Sequence, residues 1–254
     1  MRIVRYQIKN EPPLYGWIQE RKVGPIEGSI FGSYRCVEPD IPVSGIRLLA
    51  PAEPSKIICL GRNYAEHARE HGGDVPKVPL IFMKPPSSII NPGDKIVIPP
   101  QSEQVEHEAE LVVVIGKRGR HIAAGEAQGY ILGYTAGNDV TARDLQRSDG
   151  QWTRSKSFDT FCPFGPWIDT EFDPSDALIT CTVNGEVQQK ASTREMVFKV
   201  DTLVAFISSV MTLEPGDLVF TGTPAGVGPL KSGDIVEVEI QGLCKLSNPV
   251  VAWA

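Results

Sequence analysis

His107-Glu108-Ala109-Glu110-Leu111-Val112-Val113-Val114-Ile115 is the stretch on which the fold turns. An unbroken apolar run that is almost wholly β-branched specifies an extended strand. Side chains two apart on a strand share a face, so Val112 and Val114 lie on one side, Leu111 and Val113 on the other. Apolar residues on both faces make this an interior strand. Glu108 and Glu110 continue the Val112 face, so the strand opens on two adjacent acids. Two carboxylates that close raise each other's pKa unless a cation lies between them. A hard divalent ion with oxygen ligands is the simplest such cation. A solvated strand start is the plainer reading of the same pair.

Toward the C-terminus, the apolar run 130–138 ends in Asp139, a third acid at a strand terminus. It is equally placed to cap a helix beginning at Thr141-Ala142-Arg143. Further strands are predicted at 178–183, 217–222 and 235–240, with a two-residue Asn184-Gly185 hairpin turn after the first. Leu203, Val204, Ile207, Val210 and Met211 recur at helical spacing, which predicts one long helix over 201–213 with Asp201 as its N-cap. Shorter helices are expected after Asn63 and after Asp139. Toward the N-terminus, strands are expected at 56–60, 81–84 and 95–99. Residues 1–50 read as short strands at 1–8, 15–20, 29–35 and 45–51, separated by turns. The proline-bearing joint Pro51-Ala52-Glu53-Pro54-Ser55 divides the chain into a small N-terminal β-rich domain, 1–52, and a larger domain, 53–254. Gly93-Asp94, Gly216-Asp217 and Gly233-Asp234 each precede an apolar strand, a turn that recurs without amounting to a repeat. Strands and helices do not alternate regularly, which argues against a doubly wound parallel sheet. The expected class is α+β and strand-rich, a mixed sheet rolled around one long helix.

Composition narrows the function. The 254 residues carry a formal charge of −6 and a pI near 5.3, a poor match to nucleic acid or anionic membranes. Five cysteines, widely spaced and without a CxxC pair, suggest neither a disulfide framework nor a thiolate zinc site. The N-terminal stretch has no apolar run suited to a signal peptide, and no run reaches membrane-spanning length. A cytoplasmic protein is expected.

Three further groups carry chemistry. His67 and Glu70 stand three apart on an expected short helix, so a carboxylate can orient the imidazole as a general base. An exposed ion pair is the alternative. The polar segment around them ends in Gly72-Gly73 and suits a mobile lid. Lys156 lies among aromatics and is a candidate oxyanion stabiliser, or a plain surface lysine. The glycine-rich run 221–229 follows a strand and can turn backbone N–H groups toward an anion. It has neither P-loop nor dinucleotide spacing, and a tight turn explains it equally well.

Taken in order, these segments resemble one family. Gly61-Arg62-Asn63-Tyr64 with His67 and Glu70, then His107-Glu108-Ala109-Glu110, then Asn138-Asp139-Val140-Thr141-Ala142-Arg143-Asp144 come first. Lys156-Ser157-Phe158-Asp159 and Thr221-Gly222-Thr223-Pro224-Ala225-Gly226-Val227-Gly228 complete the set. The set is similar to the fumarylacetoacetate hydrolase family, in its short bacterial and mitochondrial branch, over about residues 55–250. The resemblance implies a mixed β-roll and a homodimer, with Mg2+ or Mn2+ held by Glu108, Glu110 and Asp139. It places Lys156, Arg143, Gln146 and Thr223 along the active site, and His67 with Glu70 as a lid dyad that positions water. The implied activity is metal-assisted C–C cleavage in small 2-oxo or β-diketo acids, by acylpyruvate hydrolysis or oxaloacetate decarboxylation. A 2-hydroxyhepta-2,4-diene-1,7-dioate isomerase or related decarboxylase shares almost every motif. A non-catalytic, metal-stabilised binding protein is the reading from another class.

Overall fold

The acid-bearing strand runs over Ala109–Ile115, and each of its side chains is buried. In the computed structural model, which describes residues 1–70 and 72–253, its two faces feed different cores. Leu111, Val113 and Ile115 pack in a cluster with Ile179, Val236, Leu203 and Ile207. Val112 and Val114 pack with Ile57, Cys59, Phe164 and Phe220. The alternation read from the sequence is therefore the division between two cores.

This strand lies between Ile131–Asn138 and Leu218–Phe220, antiparallel to both. Beyond Leu218–Phe220 the sheet continues to Ile57–Gly61, in parallel, and then to Leu80–Lys84. In the other direction it passes through Cys162–Asp169 to the N-terminal strand Arg2–Gln7. A second sheet has the order Ile96–Ile98, Cys244–Ala252, Ile235–Ile240, Leu178–Val183, Glu186–Ser192. A small third sheet pairs Val105–His107 with Thr141–Ala142 and Gly228–Pro229. Parallel and antiparallel pairs mix within a strand-rich α+β fold, the class the sequence predicts.

The N-terminal strands extend the large sheet, with Ile3 opposite Ile168 and buried in the Phe164 cluster. Of the expected strand 29–35 only the end forms, as Tyr34–Cys36. Ser29 to Gly32 close a turn instead, in which the Gly32 N–H donates to the Ser29 carbonyl. Asn184 and Gly185 make the expected hairpin turn at φ 52° and 83°.

The Gly-Asp turn is one device used three times. Gly93, Gly216 and Gly233 have φ of 82°, 89° and 99°, where a side chain would be strained. Each following aspartate donates its N–H to the carbonyl three residues back, of Asn91, Glu214 and Lys231. Its carboxylate accepts the backbone N–H of that same residue. The turn is clasped by backbone and side chain together.

Helix α1 spans Ala65–Glu70, α2 Arg143–Asp149, α3 Thr153–Lys156 and α4 Val200–Val210. The expected long helix is thus shorter than 201–213, because Met211 turns to extended backbone and Leu213 is drawn into a bridge with Gly119. Nor does Asp201 cap it. Lys199 holds that position without a side-chain bond, and Asp201, within the first turn, accepts from the Gln128 amide. Among the described residues, no helix is long and apolar enough to cross a membrane.

Candidate metal and substrate site

Glu108, Glu110 and Asp139 converge where the central strand begins. One oxygen from each lies within 4.8 Å of the other two, and all three residues are buried. Asp139 does not cap α2, whose N-cap is Ala142, so the metal-ligand alternative for this residue is the one the geometry accommodates. Three hard oxygens this close, out of water, are a donor set suited to a hard divalent cation.

Their partners differ. Arg143 Nη2 donates to Glu108 Oε1 at 2.5 Å, and Lys156 Nζ donates to Glu108 Oε2 at 2.8 Å. Lys156 also donates to Asp139 Oδ2 at 2.6 Å, and Lys84 Nζ to Asp139 Oδ1 at 2.5 Å. Glu110 forms no ion pair among the described residues; the Gly222 N–H donates to its Oε2 at 2.7 Å. The expectation that neighbouring acids raise each other's pKa therefore holds for one of the pair only. Burial and the charges of Asp139 and Glu108 push the Glu110 carboxyl well above the usual range. Burial works against the Glu108 carboxylate too, but Lys156 and Arg143 outweigh it and hold the group well below that range.

A cleft of about 190 Å³ opens beside the cluster, with Glu108 as its one acid among the described residues and His67, Arg143, Gln146, Lys156 and Thr223 also in its wall. Phe82 and Trp152 meet edge to face at its rim, 5.2 Å between ring centres, and Lys156 Nζ lies 4.9 Å from the Phe82 ring. Six of the nine residues marked in the sequence thus meet at one cleft. Of the others, Glu110 and Asp139 lie against Glu108, and Glu70 lies against His67. A larger cavity, of about 570 Å³ beside Phe172 and Lys199, holds none of the nine.

The dyad is held by the glycine-rich loop. His67 Nδ1 faces Glu70 Oε2 at 3.4 Å along α1, and the Gly226 N–H reaches both Glu70 oxygens at 3.1 and 3.2 Å. Gly222 and Gly226 sit at φ 94° and 95°, and a Cβ on Gly226 would stand 2.2 Å from the Gln188 carbonyl. So the loop does turn N–H groups toward acidic side chains, and those are the protein's own Glu110 and Glu70. His67 is buried, not an exposed partner, and Lys156 is no surface lysine.

Several site residues lie outside the sequence reading. Lys84, Glu106 and Gln189 are the main ones. Glu106 accepts from Arg143 Nε at 2.7 Å. Gln189, wholly buried, accepts from the Ala109 N–H at 3.0 Å and donates to Thr223 Oγ1 at 2.7 Å and the Pro224 carbonyl at 2.8 Å. Thr223 Oγ1 in turn donates to the Ala109 carbonyl at 2.9 Å.

Sequence comparison agrees with this geometry. Residues 56–251 match the fumarylacetoacetate (FAA) hydrolase C-terminal family, and residues 1–51 match the Rv2993c-like N-terminal family. The chain belongs to the fumarylacetoacetate hydrolase family and is an enzyme of that family. The mitochondrial oxaloacetate tautomerase Fahd2a of Rattus norvegicus is 48% identical over 225 residues, spanning 84% of this chain and 72% of its own. The 5-carboxymethyl-2-hydroxymuconate delta-isomerase of Mycobacterium smegmatis superposes with a TM-score of 0.93 at 42% identity, covering 100% of both chains. The 2-hydroxyhepta-2,4-diene-1,7-dioate isomerase of Mycobacterium marinum gives 0.92 at 43% identity, over 99% of this chain and 98% of its own.

Proposed function

We propose that the enzyme acts on small 2-oxo acids at the bond or proton beside the keto group, with Glu108, Glu110 and Asp139 holding Mg2+ or Mn2+. A cation there would supply Lewis acidity toward the carboxylate and keto oxygens of the substrate. The chain's own groups do the rest. Arg143 has five N–H donors, of which one each goes to Glu106, Glu108 and Gln146. The two that remain are available to a substrate carboxylate. Lys156 gives two of its three protons to Glu108 and Asp139, which leaves one for a developing oxyanion. A tautomer with Nδ1–H toward Glu70 would put the His67 lone pair on Nε2, as a general base needs.

In the first reading His67 takes a proton from water as the water oxygen attacks the distal carbonyl of an acylpyruvate. The C–C bond breaks and its electron pair passes to the pyruvate fragment. Oxaloacetate decarboxylation breaks the corresponding bond without water. In the second reading the same nitrogen moves a proton at C3, as a tautomerase or isomerase would, and the names of the relatives favour it. What carries both is a single observation: His67 of the dyad and Glu108 of the carboxylate cluster line one small cleft, with Glu70 against His67 and Glu110 and Asp139 against Glu108. A panel of acetylpyruvate, oxaloacetate and a hydroxydienedioate, assayed with Mg2+ and with Mn2+, separates them. His67→Ala is expected to lower kcat by about 100-fold or more while leaving Mn2+ affinity intact. Full turnover in that variant would remove the dyad from the mechanism. Homodimer formation is proposed alongside, to be read from the mass in solution by light scattering.

A further inference from the structure

The carboxylates do not hold their cations in the same way. Lys156 belongs to the cleft wall, whereas Lys84 is fully buried and lines no part of the cleft. Lys84 ends the strand Leu80–Lys84, and the ladder to Ile57–Gly61 fixes its backbone, with Lys84 opposite Ile57. Its Nζ donates to Asp139 Oδ1 at 2.5 Å and to the Val140 carbonyl at 3.2 Å. These bonds commit one oxygen of Asp139 to a cation that has no path to solvent. Among the described residues, four buried carboxylates (Glu106, Glu108, Glu110 and Asp139) face three buried cations, Lys84, Arg143 and Lys156. A divalent ion seated by Glu108, Glu110 and Asp139 therefore enters a site whose negative charge is already largely offset.

We infer that Lys84 is a built-in counter-charge that weakens divalent-metal binding and keeps the metal exchangeable. This rests on the metal reading given above. Lys84 acts through Asp139 and touches no substrate. Its ammonium repels a cation placed beside Asp139, and in a dry interior that repulsion is poorly screened. The same charge stabilises the protein without metal, because without it Asp139 would depend on Lys156 alone, which it shares with Glu108. A residue that served only to hold Asp139 in place would have the opposite effect on the metal, since its loss would loosen a ligand.

Lys84→Gln separates these effects, because the glutamine amide can still donate to Asp139 but carries no charge. Mn2+ binding is measured by titration calorimetry, and thermal unfolding is followed with and without Mn2+. The variant is expected to bind Mn2+ about tenfold or more tightly than the wild type. Its Tm without metal should fall, and its rise in Tm on adding Mn2+ should exceed the wild-type rise. Affinity equal to or weaker than wild type, in a folded variant, overturns the inference. If Lys84→Gln does not fold without metal, refolding in excess Mn2+ takes the place of the titration: recovery of the folded state supports the counter-charge, and failure to recover overturns it. A wild type that binds no Mn2+ would instead defeat the metal reading, and this inference with it.

Discussion

At the scale of single residues, Glu110 stands apart electrostatically: buried, acidic and, among the described residues, in no ion pair. Burial and its acidic neighbours raise its pKa in the metal-free protein, whereas a metal ligand must be the carboxylate. Metal binding is thus expected to release protons over the pH interval in which Glu110 ionises, and affinity should rise with pH through that interval. Calorimetry in buffers of different ionisation heat measures the release directly. Glu110→Gln keeps the acceptor for the Gly222 N–H and removes the charge. Mn2+ affinity should fall by about 100-fold or more. The Tm of the metal-free variant should hold or rise at neutral pH, since a carboxyl whose folded pKa is raised costs stability once the pH passes its unfolded value. A lower Tm there would contradict the account of Glu110. The two glutamates could be paired from the sequence because a strand puts alternate residues on one face. Their unequal fates could not, because Arg143, Lys156 and Gly222 reach them from 35, 48 and 112 residues away. Lys84 and Gln189 escaped for the same reason: 55 residues separate Lys84 from Asp139, and nothing local marks it.

At the scale of elements, what was legible depended on how local the signal was. The Asn184-Gly185 hairpin and the three Gly-Asp clasps are set by contacts within four residues, and all of them form. The Cys162–Asp169 strand sits inside the large sheet but contains Pro163, Gly165 and Pro166, residues that ordinarily argue against an interior strand. Its place comes from pairing with Ile131–Asn138 and Arg2–Gln7, which is tertiary information. The clasps also rank themselves. Asp217 is wholly buried and, besides the Glu214 N–H, accepts from Ser55 Oγ at 2.7 Å and the Lys56 N–H at 3.2 Å, with an ion pair to Lys56. The carboxylate of the half-buried Asp234 accepts, among the described residues, from the Lys231 N–H and the Asn184 amide. Asp217→Ala is expected to cost roughly 3 kcal/mol of folding free energy and Asp234→Ala about 1 kcal/mol. Urea unfolding of the two variants decides, and equal losses would mean that the turn itself, not the burial of its carboxylate, carries the stability.

At the scale of the molecule, the division at residues 51–55 separates two sequence families but not two sheets. The first strand closes one side of Cys162–Asp169, and Ile3 enters the core cluster of Phe164 and Phe220. We propose that the N-terminal domain 1–52 is structurally dependent on the domain 53–254, and the reverse in part. Removing residues 1–52 opens a sheet edge and uncovers Phe164 and Ile168, so the remaining chain should lose about 3 kcal/mol, or roughly 10 °C in Tm. A truncated chain that melts with the full-length protein would make the first domain an independent appendage.

The central strand has a consequence in time as well as in space. Leu111 to Val114 are buried and lie between strands on both sides, so their amide hydrogens reach solvent only when the whole molecule opens. Helix α1, which carries His67 and Glu70, is six residues long, too short to persist without its tertiary contacts. Its amides exchange through local opening. One end of the site therefore keeps the slowest clock in the protein and the other a faster one, and turnover can be paced by the seating of the dyad while the carboxylates beneath it stay still.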